Sequence, residues 1–134
     1  MRPEEAIGRL DVVLAHAWMV RTFLKHAEEI QEDEEMLDVP RTLFDYCRAV
    51  EPARQRKDAK EYLHRIRGKL SKLRRVAEFF SANYQRASDH TNFQMAAASL
   101  SGCVTQIEEV LAAVEGSARR DASPSTPAPS PPAT

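Results

Sequence analysis

The sequence predicts an all-α fold: an antiparallel four-helix bundle with three long helices, a short second helix and a disordered C-terminal tail. Two observations carry this expectation. Apolar residues step by alternating intervals of four and three over two stretches. The first is Ala59, Leu63, Ile66, Leu70, Leu73, Ala77, Phe80, Tyr84 and Ala87, and the second is Phe93, Ala97, Leu100, Val104, Ile107, Leu111 and Val114. Seams of this period mark helices packed side by side, as in a coiled coil. Glycine is also scarce, at four in 134 residues. Turn dipeptides are few and no stretch alternates as a strand, which argues against an all-β chain.

The first helix is expected from Pro3 or Glu4 to Glu35. Pro3 suits a first turn, and Glu4 and Glu5 suit the positive end of the helix dipole. Its apolar face reads Val12, Val13, Ala17, Met19, Val20, Phe23, Leu24, Ala27 and Ile30. A short second helix is expected to open at Asp38, with Pro40 in its first turn, and to stop at Pro52. The third opens with Asp58 and Glu61 as a capping pair and runs to Ser88. The fourth opens at Thr91, with Gln94 as its second capping member, and ends at Glu115 before Gly116. Residues 1–116 therefore form one domain. Residues 117–134 hold five of the eight prolines and no large apolar side chain. They are expected to be disordered, because too little apolar surface is available to offset the entropy of folding. Pro124 and Pro127 meet the loose spacing of polyproline ligands, a pattern that Pro-rich tails produce by chance.

The net charge is only −1, but the charges are segregated. Seven acids and no base lie between Glu28 and Asp38, while ten bases against two acids lie between Arg54 and Arg75. Lys60, Arg67 and Arg74 recur every seven residues along one edge of the third helix's seam, and Arg21, Glu28 and Glu35 do so on the first helix. This spacing points to charge pairing that sets which helix lies beside which. Arg65, Lys72, Arg75 and Arg86 project outward and remain for a partner.

Few constellations suggest chemistry. His16 falls within the apolar arc of the first helix, with Glu5 and Arg9 on the same side, and the three form a candidate polar core cluster able to bind a metal or move a proton. A single structural hydrogen bond is the plainer reading of His16. Glu61 and His64 spell E-x-x-H, but in one copy and off the core seam, and His26 with Glu29 lies on a polar face. Asp89 and His90 stand where helix caps are common. Cys47 and Cys103 are isolated in apolar surroundings, as expected of buried structural thiols. No phosphate-binding or nucleophile-elbow motif occurs. No catalytic residue, metal ligand or cofactor is assigned.

The favoured functional reading is a non-catalytic helical bundle acting through protein–protein interaction or self-association, with Leu14 and Trp18 as an interface anchor beside Arg65, Lys72, Arg75 and Arg86. A nucleic-acid-binding bundle using the basic third helix is the first alternative, and a metal-binding or enzymatic bundle centred on His16 is the second. The pI near 6.4 and the lack of aromatics among the exposed bases weigh against the first. The charged N-terminus and the absence of a long apolar run point to a cytoplasmic protein without membrane contact.

Overall fold

The computed structural model describes residues 1–122, with side chains to residue 120. Its elements are α1 (Pro3–Lys25), α2 (Glu28–Gln31), α3 (Glu34–Arg56), α4 (Ala59–Gly68), α5 (Leu70–Asn83), a 3-10 turn (Tyr84–Arg86) and α6 (Thr91–Ala122). All of the regular structure among the described residues is helical. No helix among them is long and apolar enough to cross a membrane.

The first expected helix divides. α1 ends at Lys25, and residues 28–31 form the one-turn α2. The acidic block explains the division. In one continuous helix Glu28 would face Glu32 and Glu29 would face Asp33 at i,i+4, and like charges there are destabilising. The folded chain instead places Glu28 and Glu29 in the first turn of α2 and Glu34 and Glu35 in the first turn of α3, at the positive ends of two helix dipoles. Ile30, fully buried, anchors the short turn between them.

The second expected helix is not short. α3 has 23 residues, as many as α1, and contains both Pro40 and Pro52. Its cap is Asp33 rather than Asp38: one Asp33 carboxylate oxygen accepts from the N–H groups of Glu35 at 3.1 Å and Met36 at 3.3 Å. A proline inside a helix costs about 3 kcal/mol. Here the buried stripe Met36, Val39, Leu43, Tyr46, Val50 and Ala53 runs unbroken past both prolines. At about 1.5–3 kcal/mol for each large apolar side chain buried, that stripe outweighs the two lost hydrogen bonds. The helix ends at Lys57, whose φ of 56° and ψ of 36° are left-handed.

The third expected helix is interrupted at Lys69, whose φ of −124° and ψ of 21° separate α4 from α5. Gly68 weakens the helix at this point, and the Tyr46 hydroxyl of α3 donates to the carbonyl of Ile66 just before it. Asp58 caps α4 as expected, accepting from the Glu61 N–H at 3.1 Å. The Glu61 carboxylate pairs with Arg65 instead of closing a capping box. α6 is capped by His90, not Thr91, because His90 Nδ1 accepts from the Asn92 N–H at 3.0 Å. α6 also runs past Gly116, which keeps a negative φ, so that residues 117–122 belong to the helix rather than to a disordered tail. The proline pattern at residues 124–127 lies outside the described residues.

α1 packs against α3 and α6, and α5 packs against α3 and α6. Neighbouring helices run antiparallel. Arg67 meets Glu115 at 3.3 Å, Arg74 meets Glu108 at 2.8 Å, and the Ser81 and Ser101 hydroxyls meet at 2.9 Å. Each step is seven residues forward on α4–α5 and seven back on α6, one register maintained across the Lys69 interruption. The heptad-spaced arginines therefore do select a neighbour, but it is α6 and not the acidic block of residues 28–38. Arg86 does reach that block from a distant element, holding Asp33 at 2.8 Å and Glu35 at 3.4 Å.

Asp33 thus caps α3 and ties its start to the 3-10 turn. Desolvation pushes its carboxyl pKa up. The Met36 N–H, the Arg86 guanidinium and the Glu35 N–H more than offset this and leave it below its ordinary 3.8. A depressed carboxylate contributes stability that is present above the unfolded pKa and is lost as pH falls through the folded one. Stability should therefore decline from about pH 4 downward. Asp33→Asn retains a good cap but no ionisation, so it should be less stable at neutral pH and lose less between about pH 4 and pH 2. Thermal unfolding of both forms across that range checks this.

Candidate functional site

The two outer flanks of α1 differ, because the helix carries two stripes. The inner one, Ala6, Leu10, Val13, Ala17, Val20 and Leu24, is buried. The outer one, Gly8, Val12, Ala15 and Met19, is exposed. Val12 is 59% and Met19 63% exposed, values that are high for apolar side chains on so regular a helix. Both belong to the apolar face expected of the first helix, but they point away from the core. On the antiparallel neighbour α6, Met95 is 54% exposed and continues the same surface. Shallow grooves separate α1 from α6: one brings Met19 and Phe23 together with His26, Glu28, Glu29 and His90, and two others border the outer stripe. Of these two, one, of about 450 Å³, is lined by His16, Met19, Phe23, Asn92, Met95 and Ser99 among others. The other, of about 660 Å³, is lined by Gly8, Arg9, Val12, Gln106, Glu109 and Ala113 among others.

His16 is therefore no core residue. It is exposed and borders the smaller groove, whose lining contains no carboxylate, cysteine or second histidine. An ideal helix turns His16 inward only if Val12 and Met19 are core residues, and both are exposed. Glu5 and Arg9 pair with each other at 3.6 Å across one turn, with side chains 54% and 62% exposed, and do not reach His16 as a buried cluster. Among the described residues no group of three His, Cys, Asp or Glu side chains could hold a metal ion.

The expected anchor at Leu14 and Trp18 is largely closed. Leu14 is buried. Trp18 lies against Phe44 of α3 with ring centroids 5.8 Å apart, and the Arg21 guanidinium covers both rings at 4.5 and 4.9 Å. Cation–π stacking of this kind seals the α1–α3 flank. Arg65 is paired with Glu61 at 2.8 Å and Arg86 with Asp33, leaving Lys72 and Arg75 as the outward cations of α5 from the expected set.

Buried polar side chains elsewhere have structural partners, apart from the Thr42 hydroxyl of α3, which has none among the described residues. The Tyr62 hydroxyl donates to Asp11 at 2.8 Å, and Asp11 also meets Arg54 at 3.4 Å, which joins α1, α3 and α4. Burial, then the Asp11 carboxylate, pushes the Tyr62 phenol above its ordinary range. The Sγ atoms of Cys47 and Cys103 lie 3.9 and 3.6 Å from the carbonyls of Leu14 and Val13, on either side of α1. Burial pushes both thiols up to about 11. A thiol at that value holds little thiolate near neutral pH and is a poor nucleophile.

Period alone does not separate the outer stripe from the core face. Its spacing of four, three, four repeats that of the inner stripe, displaced by two residues, and a helix with two such stripes offers one to the core and one to something else. No family model, curated protein or solved structure matches the chain.

Proposed function

We propose that this chain is a non-catalytic helical protein that acts by docking, and that its docking surface is the outward face of α1 and α6. On this reading α1, α3, the α4–α5 pair and α6 form the four legs of an antiparallel four-helix bundle. The pairwise packing of those helices and the seven-residue ladder between α4–α5 and α6 support it. The observation that carries the functional reading is the exposure of Val12, Met19 and Met95 on one side of an otherwise well-packed helix pair. Apolar side chains grouped on a charged surface, beside grooves, mark interaction sites. The buried thiols and the surroundings of His16 offer no competing chemistry.

A photo-crosslinking residue at position 19 of the full chain tests this in cells. The expected result is a discrete adduct, identified by mass spectrometry, that is absent when the same group replaces Lys72 on α5. No adduct at position 19, or the same adducts at both positions, contradicts it.

A further inference from the structure

We infer that the occupant of the α1–α6 face is an amphipathic helix of another protein, whose apolar stripe ends in a basic turn at the α2 end of the face. This rests on the docking reading above and adds the partner's chemistry.

The shape of the face suits a helix. All regular structure among the described residues is helical, so they offer no sheet edge to an extended segment. The furrow between two packed helices is where a third one lies. Val12 and Met19 are seven residues apart on α1, which is about 10.5 Å or two turns. Side chains at i and i+7 of an incoming helix repeat at that interval and enter the grooves beside these two ridges. Met19 and Met95, both exposed, are flexible enough to adapt to what enters. The chain itself supplies no such helix. Outside this face, the large apolar side chain exposed among the described residues is Phe44, which stacks on Trp18 and Arg21. Residues 123–134 hold no large apolar side chain, no Lys and no Arg.

Charge fixes which end of that helix is basic. The groove beside Val12 is balanced, with Glu5 and Glu109 against Arg9 and the amino group of Met1. The groove beside His16 has no Asp, Glu, Lys or Arg in its lining. The third groove, of about 750 Å³, is lined by Phe23 and Phe93, with ring centroids 5.1 Å apart, and by Glu28 and Glu29, but by no Lys or Arg. Neither glutamate forms an ion pair among the described residues. A Lys or Arg side chain fits this combination, because its stem lies on the rings while its head reaches the carboxylates. Met19 and Phe23 line this groove and the one beside His16, so the apolar and acidic stretches form one surface. From Val12 to the end of α1 is about 20 Å, and a helix of roughly 17 residues reaches from the first groove into the third.

Labelled synthetic helices of about 18 residues test this by fluorescence anisotropy with the full chain at low salt. All carry leucines at helical spacing along one face. One pair differs only in a terminal turn with two lysines or two glutamates, and a second pair carries that turn at the opposite end. In one of the pairs the lysine peptide should bind about fivefold more tightly than its glutamate counterpart. Glu28→Lys with Glu29→Lys should reverse that order, and the milder Glu28→Gln with Glu29→Gln should abolish it. Met19→Gln should weaken both peptides and leave the helical circular-dichroism spectrum unchanged. Equal affinities within both pairs, or an order indifferent to the Glu28 and Glu29 exchanges, overturn the basic turn and leave the docking reading standing. A wild-type dimer that Met19→Gln dissolves, or a chain ending at Ala122 that binds the peptides far more tightly than the full one, assigns the face to this chain and overturns the foreign helix. Binding of no peptide overturns the helical occupant, and the adduct at position 19 then decides the docking reading by itself.

Discussion

Phe80→Ala should lower the stability of the fold by about 3–5 kcal/mol, the cost of removing a large buried ring and leaving a cavity. Phe80 is fully buried on α5, which packs against both α3 and α6, and its ring centroid lies 6.4 Å from that of Tyr84. The loss should appear as a fall in the denaturant midpoint with the slope unchanged, since the surface exposed on unfolding hardly changes. Phe44→Ala is the matched control. That ring is 37% exposed and touches Trp18 and Arg21 at the margin of α1 and α3, so its removal opens no interior cavity. It should cost well under half as much. Equal losses at the two positions would mean that the core is not centred where α5 meets its neighbours.

Tyr46→Phe should cost about 1–3 kcal/mol although it removes one atom and no apolar surface. Tyr46 is 2% exposed and its hydroxyl donates to the Ile66 carbonyl. Ile66 sits in the last turn of α4, where helix carbonyls lose their partners. Phenylalanine leaves that carbonyl buried without a donor. Amide exchange should therefore accelerate first around residues 66–70 before it does elsewhere. The same burial, with the Cys47 thiol a lesser cause, raises the Tyr46 phenol above its ordinary 10.0. A phenol kept neutral in the fold contributes stability that is present below the unfolded pKa and is lost as pH rises past it. Wild-type stability should accordingly decline above about pH 10, and Tyr46→Phe should decline less.

The helical class and most of the core were legible because they rest on period alone. The seams Leu63, Ile66, Leu73, Ala77 and Phe80 and Phe93, Ala97, Leu100, Val104 and Ile107 are all buried. The seven-residue spacing of Arg67 and Arg74 was also legible as a pairing device, but not its partner. Glu108 and Glu115 lie more than thirty residues away, and spacing on one helix cannot say which other helix carries the matching acids. The helix boundaries failed where local rules compete with packing. Pro40 and Pro52 read as a start and a stop, yet the buried stripe of α3 carries the helix through both. Nothing at His26-Ala27 reads as a breaker, and the division there follows from like-charge crowding over the next eight residues. The site was the least legible part. Val12 and Met19 look like core residues in any one-dimensional reading, and only the observed rotation of α1 against α3 and α6 turns them outward and takes His16 with them.

One measurement bears most directly on the claim that the outer face of α1 and α6 is a docking surface. Val12, Met19 and Met95 are exposed on that face, whereas Lys72 lies on the outer surface of α5. A photo-crosslinking residue placed in turn at positions 12, 19 and 95 should capture one and the same adduct. Unrelated adducts at the three positions, or capture no greater than at position 72, would contradict the account.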